Sequence, residues 1–156
     1  MKLTVFGATG GIGRCLVEQA TAAGHEVTAV VRDPAKISLP VRTVTADLLT
    51  ADQATLQRAV AEADAVLSTV GPPSNALAGV ASRGTEAIVR AMRATEARRL
   101  IAVSAAPVGA MPSPGRPHPP KHDPGDRYIS RADVAHYMLH ILDRPETIDR
   151  AVGIAD

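Results

Sequence analysis

The stretch GATGGIG, residues 7–13, does most to limit what this chain can fold into. It follows directly on LTVF (3–6), a short apolar run rich in β-formers. It opens GGIGRCLVEQATAAG, where Ile12, Leu16, Gln19, Ala20 and Ala23 recur near helical spacing until Gly24, a residue suited to end a helix. Glycines at three-residue steps between a strand and a helix have separable roles. Gly7 lets the chain turn sharply out of the strand. Gly10 removes a side chain where a pyrophosphate has to approach the backbone. Gly13 lets the helix pack closely on the sheet. The helix N-terminus then offers free N–H groups and the positive end of a dipole to phosphates. The spacing is GxxGxxG rather than GxGxxG. Alone it is a weak pattern that packing could explain, and its strand–turn–helix setting gives it meaning.

The following residues keep the same alternation. EVTAVV (26–31), VRTVTA (41–46), DAVLSTV (64–70) and RLIAVS (99–104) read as further strands. LTADQATLQRAVAEA reads as a helix with Thr50 and Gln53 at capping-box spacing. A longer helix is predicted over about 76–95, with Leu77, Val80, Ala87, Ile88, Ala91 and Met92 on its apolar side and a Glu86–Arg90 pair at i,i+4. Strands apolar on both faces, separated by amphipathic helices, predict an α/β fold. Its parallel sheet is covered on both sides, in the order 3-2-1-4-5 with right-handed crossovers. At 156 residues the chain is expected to form a single domain, 1–156.

The regularity stops at SAAPVGAMPSPGRPHPPKHDPGDRYIS (104–130), where seven prolines lie between Pro107 and Pro124. No regular element can run through them, and residues 107–126 are expected to be an irregular bridge. ISRADVAHYMLHILDRPE then reads as a helix. Ser130 and Asp133 form a capping pair, Val134, Met138, Leu139 and Leu142 an apolar face, and Pro145 a stop. AVGIA near the end suits a short strand.

Composition excludes several classes of partner. A net charge of +1 gives no general field for nucleic acid or an anionic membrane. No apolar run reaches transmembrane length and no signal peptide is visible, so neither nucleic acid nor membrane is an expected partner. Aromatics are only 2% of residues, so the core must be built from Ala, Val, Leu and Ile. A single cysteine, Cys15, rules out an internal disulfide and fits a reducing cytoplasm, the expected location. In the first helix beside Leu16 it reads as a packing thiol.

The strand ends carry the candidate chemistry. In VVRDPAK, Arg32 and Lys36 put a guanidinium and an ammonium around one point, which suits a ribose 2′-phosphate and favours NADP over NAD. Asp33 could face the ribose instead, and both cations could be simple loop charges. Asp47, in TADL, can accept from an adenine amine while Leu48 covers the ring, or it is an ordinary acid before a helix. Val70 and Gly71 end the fourth strand, and Gly71 would permit close approach to a nicotinamide ribose. Ser104 ends the fifth, where it either orients the nicotinamide or a substrate oxygen, or is a polar strand end. The usual proton donor for carbonyl reduction, a Tyr with a Lys four residues on, is missing. Tyr128 is followed at that spacing by Ala132 and Tyr137 by Ile141. His136 and His140 share a helix face, with His118 and His122 upstream, but no HExxH or cysteine partner accompanies them, and no metal is expected.

Taken together, KLTVFGATGGIG, HEVTAVVRDPAK, TADL, DAVLSTVG, SRGTEAIVRAM, RLIAVSA and YISRADVAHYMLHIL resemble the atypical short-chain dehydrogenase/reductases with NmrA-like, NAD(P)H-binding Rossmann domains. Within them the chain is most similar to the flavin reductase/biliverdin-IXβ reductase type. The resemblance covers about residues 1–106 and 127–156. It implies an NADPH site at Gly7, Thr9, Gly10, Gly11, Ile12, Arg32, Asp47, Leu48 and Gly71, with Ser104 near the nicotinamide. It also implies a helix and a sixth strand after strand five that this chain lacks, hence a truncated substrate lobe. The expected activity is hydride transfer from NADPH to a flavin, quinone or similar conjugated acceptor. The alternatives are an inactive NADPH-binding redox sensor or truncated relic and, less favoured without Tyr–Lys, a carbonyl or nucleotide-sugar enzyme. The surface uncovered near strand five is expected to be buried in a homodimer.

Overall fold

The computed structural model describes residues 1–71, 79–104 and 129–150. The first half runs β1 (Lys2–Phe6), α1 (Gly11–Ala22), β2 (Glu26–Val31), β3 (Arg42–Thr45), α2 (Gln53–Val60) and β4 (Ala65–Ser68). Then come α3 (Val80–Arg93), β5 (Arg99–Ala102) and α4 (Arg131–His140), with 3-10 turns at Pro34–Lys36 and Pro145–Thr147. The five strands form one parallel sheet in the order β3-β2-β1-β4-β5, as the alternation of patterns predicts.

Side chains of alternate parity along each strand build two cores. Leu3 and Val5 of β1 join Val27, Ala29 and Val31 of β2, and meet α1 and α4 through Leu16, Val17, Ala20, Val134, Ala135 and Met138. Phe6 and Val30 face the other way, onto Leu56 and Val60 of α2 and Ile88, Ala91 and Met92 of α3. Thr4 is only 2% exposed on that second face, and its hydroxyl donates to the Ala59 carbonyl at 2.7 Å. The buried hydroxyl is thereby satisfied, and β1 is tied to the end of α2.

Helix ends follow their local chemistry. α1 stops where Gly24 takes φ +79°, with His25 N–H donating to the Ala20 carbonyl at 3.0 Å, a glycine-terminated end as expected. Ser130 caps α4, accepting from Asp133 N–H at 3.0 Å. The cap of α2 is Asp52, not Thr50. The chain around Thr50 is still in a turn, with Thr50 and Ala51 N–H both donating to the Asp47 carbonyl, so helix geometry begins only after Asp52. β5 ends at Ala102, and α3 spans less than the predicted 76–95. Predicted features in 72–78, 105–128 and 151–156, including Leu77, most of the Pro-rich bridge and the AVGIA strand, lie outside the described residues.

With β5 at the sheet edge, α4 is held partly by Arg99. Its guanidinium donates to the Ile141 carbonyl at 2.6 Å and to Thr147 Oγ1 at 2.5 Å. A cation against the last carbonyls of α4 complements that helix's dipole while joining it to the strand. Among the described residues no helix is long and apolar enough to cross a membrane.

Candidate dinucleotide site

Parallel register brings the strand ends to one edge. Phe6 pairs with Val30 and Ser68, Val31 with Thr45, and Ser68 with Ala102. The ladder extends one step beyond, through Ala46 N–H to the Val31 carbonyl, Thr69 N–H to that of Phe6 and Val103 N–H to that of Ser68. Gly7, Arg32, Asp47, Val70 and Ser104 therefore all leave the sheet at its carboxyl edge, where open α/β sheets bind ligands.

The glycine loop is tight for reasons internal to the chain at some positions and not at others. Gly7 has φ +79°, and a Cβ there would stand 2.8 Å from Thr69 Oγ1. That hydroxyl lies 3.2 Å from both the Phe6 and Gly7 carbonyls, so Thr69 braces the turn. At Gly13 a Cβ would stand 2.1 Å from the Gly7 oxygen and 2.8 Å from Ala8 Cα. The close approach that Gly13 permits is thus between helix and loop backbone, rather than between helix and sheet. Gly10 differs: its backbone (φ −73°, ψ 170°) suits any residue, and a Cβ would meet only the Gly7 oxygen, at 3.2 Å. A Cβ on Gly71 meets nothing within 4 Å among the described residues. A Cβ on Gly71 would find open space among the described residues, and one on Gly10 would need the Gly7 oxygen to give by a few tenths of an ångström, so a ligand's approach is a further physical reason for glycine at both.

Beyond Gly10, α1 begins without a side-chain cap and without an acid in its first turn. Its first ladder bond runs from Arg14 N–H to the Gly10 carbonyl at 2.9 Å, so the N–H groups of Gly11, Ile12 and Gly13 precede the ladder. Thr9 is half-buried in the loop, and Ile12 packs partly against the α1–α4 core.

After β2, Arg32 is exposed, and Asp33 turns onto its own 3-10 turn. Asp33 Oδ1 accepts from Ala35 N–H at 3.1 Å, and Oδ2 lies 3.9 Å from Lys36 Nζ. In this turn the Asp33 carboxylate is directed to Ala35 N–H and Lys36. Between this turn and α1 lies a groove of about 210 Å³, lined among others by Ala8, Arg14, Lys36 and Ser38. Arg14 and Ser38 carried no motif that would have singled them out.

Asp47 Oδ1 accepts from Leu49 N–H at 2.9 Å and so shapes the turn after β3. Leu48 and Val70 converge on Gly84 of α3, each with a side-chain carbon 3.5 Å from where its Cβ would be. A glycine inside a helix is unfavourable by about 1 kcal/mol relative to alanine, and that was the available sequence signal for this close approach. Ser104 is exposed and lies beyond the end of β5. Tyr137 is half-buried on α4 near His140, their rings 6.3 Å apart. His136 and His140 stack at 6.5 Å, and His140 Nε2 lies 3.2 Å from Arg144 Nη2. Among the described residues no three of His, Cys, Asp or Glu gather as metal ligands, while His118 and His122 lie outside them. A second groove, about 310 Å³ and lined by Val89, Met92, Arg93, Ala97, Arg98 and Leu100, lies at the α3–β5 side, away from the glycine loop.

Comparison with known proteins agrees with this geometry. Residues 7–124 match a family described as NAD(P)H-binding. The chain is 36% identical over 124 residues to a 3-diazoavenalumate denitrifying reductase from Streptomyces, matching with 73% of its own length. It spans only 41% of that relative's length. Among solved structures, a candidate NADH-flavin reductase from Streptococcus pneumoniae aligns with a TM-score of 0.68 at 20% identity, covering 92% of this chain and 93% of that one. A Rossmann-fold NAD(P)-binding family protein from Shigella flexneri aligns at 0.67 and 21%, covering 93% and 87%. At these identities the two structures show a shared Rossmann-like fold.

Proposed function

The chain belongs to the NAD(P)H-binding family, and from that premise we propose that it is an NADPH-dependent reductase of a flavin, quinone or similar conjugated small molecule. The observation that carries the reading is the open cradle at the carboxyl edge. An uncapped α1 terminus lies behind Gly10, where a Cβ would meet only the Gly7 oxygen. The described residues fit a dinucleotide. Gly11, Ile12 and Gly13 N–H groups are available to phosphate oxygens, and Leu48 and Val70 offer an apolar surface over Gly84. The preference for NADPH is supported by exposed Arg32 beside an Asp33 that is turned onto Ala35 and Lys36. Asp47 and Gly71 would hold the adenine and ribose sides, and Ser104 would orient the nicotinamide.

When bound, a reduced nicotinamide supplies a hydride, which the acceptor takes up together with one proton. No Tyr–Lys pair stands ready to give that proton to a developing alkoxide. A conjugated acceptor spreads the added charge, so solvent can supply the proton and the chain's task is positioning. The Streptomyces relative is itself named as a reductase. Calorimetric titration with NADPH and NADH, followed by NADPH oxidation assays with flavin, quinone and tetrapyrrole acceptors, tests the proposal. Tighter NADPH binding and turnover above blank with at least one acceptor are expected. Binding without any turnover would favour a non-catalytic redox sensor. We further propose a homodimer formed over the β5 side, where the groove by Met92 and Leu100 opens to the surface.

A further inference from the structure

Arg131, the first residue of α4, stands beside the first residue of α1. A Cβ placed on Gly11 would lie 2.6 Å from Arg131 Cδ and 2.8 Å from both its Nε and Nη1. The guanidinium therefore sits at the positive end of α1, next to N–H groups that precede that helix's hydrogen-bond ladder. It is also at the N-terminal end of its own helix. The acid in that first turn, Asp133, is directed to the cap. Its Oδ2 accepts from Ser130 Oγ at 2.5 Å, and its N–H donates to the same hydroxyl. Among the described residues, no ion pair neutralises Arg131.

A cation at the positive ends of two helices is mildly unfavourable alone and becomes favourable when an anion comes between them. The packing of α4 on α1, fixed by Val134, Ala135 and Met138 and by Gln19 Nε2 donating to the Ala132 carbonyl, keeps the start of α4, with the exposed Arg131 side chain, beside the α1 terminus. We propose that Arg131 is a pyrophosphate-binding residue: it closes the dinucleotide site from the α4 side and grips the diphosphate against the α1 terminus. This rests on the NAD(P)H-binding reading but extends it, because the family match ends at residue 124. It gives α4, joined to the glycine loop across the Pro-rich segment, a direct part in cofactor affinity. The position of Gly11 follows too. A methyl group there would push the flexible arginine side chain away, not the backbone.

The test uses the full chain, with NADPH, NADH and ADP-ribose as ligands, in wild type, Arg131→Gln, Arg131→Lys and Gly11→Ala. Losing a charge-assisted contact should raise the Kd for all three ligands about tenfold or more in Arg131→Gln. Arg131→Lys should recover part of the loss. Gly11→Ala should weaken binding in the wild type and add little on top of Arg131→Gln, since both remove the same contact. The thermal midpoint of ligand-free Arg131→Gln should equal or exceed that of wild type, because a repulsion is relieved. Unchanged affinity in Arg131→Gln overturns the proposal and leaves the cofactor reading standing. So does weaker binding accompanied by a lower ligand-free midpoint, which would mark a structural role. A wild type that binds none of the three ligands overturns both.

Discussion

Gly13→Ala perturbs the place where the loop and helix are closest. The added Cβ would stand 2.1 Å from the Gly7 carbonyl oxygen and 2.8 Å from Gly7 C and Ala8 Cα. All three are backbone atoms, and a Cβ has no rotamer by which to avoid them. Reaching a tolerable separation of about 3 Å requires loop and helix to part by roughly 1 Å, at the upper end of the ~1–3 kcal/mol typical of overpacking. Alanine's better helix propensity offsets about 1 kcal/mol of that. The net expectation is a loss of about 2 kcal/mol, or a thermal midpoint lowered by roughly 4–8 °C for a chain of this size. Gly10→Ala is the matched control. Its one contact is at 3.2 Å, needing a shift of only a few tenths of an ångström, and its backbone is already in a generally allowed region, so folding should lose much less than in Gly13→Ala. Its methyl group would nevertheless project where phosphate has to approach, and NADPH binding should fall about tenfold or more. Denaturant unfolding and calorimetric titration of both variants decide the matter. A Gly13→Ala protein as stable as wild type would refute the packing argument. A Gly10→Ala protein that binds NADPH normally would refute the assignment of that glycine to the ligand.

Other expectations follow from single residues. Arg32→Ala should raise the Kd for NADPH about tenfold or more while changing that for NADH little, since only the 2′-phosphate loses a partner; equal effects on both would remove Arg32 from the specificity site. The Thr55 hydroxyl and then its backbone N–H, both donating to Asp52, hold that carboxyl below its usual value of 3.8. A lowered folded pKa gives stability that is present above the unfolded value and is lost as pH falls through the folded one, so acid unfolding in Asp52→Asn should lose part of its pH dependence below about pH 4. Light scattering at micromolar concentration should give twice the monomer mass, with Val89→Glu, at a half-buried residue of the α3–β5 groove, restoring the monomer; a wild type that is already monomeric would count against the dimer.

The sheet was readable because the strands β1, β2 and β4 are largely apolar on both faces and the helices between them amphipathic, which dictates a parallel sheet between two helical layers, while β3 (RTVT) is mostly exposed at one edge. Boundaries were less so. Thr50 and Asp52 are both competent caps, and only the turn made by the Asp47 carbonyl decides for Asp52. Ser104 belongs to an apolar run but lies past the last pairing of β5 with β4. At the site, Gly7, Gly13, Arg32 and Gly71 were visible from motif and position. Thr69, Gly84 and Arg131 were not, because their roles arise from long-range approach. Thr69 braces a glycine across the sheet, Gly84 receives two side chains from other strand ends, and Arg131 arrives on a helix that is far from the glycine loop in sequence.

The claim that this chain passes hydride from NADPH to a conjugated acceptor is tested most directly by single-turnover oxidation of bound NADPH on addition of oxidised flavin. The expected result is loss of the reduced nicotinamide signal in step with flavin reduction, faster with NADPH than with NADH and dependent on the protein. NADPH that binds and stays reduced in the presence of flavin, quinone and tetrapyrrole acceptors alike would contradict it.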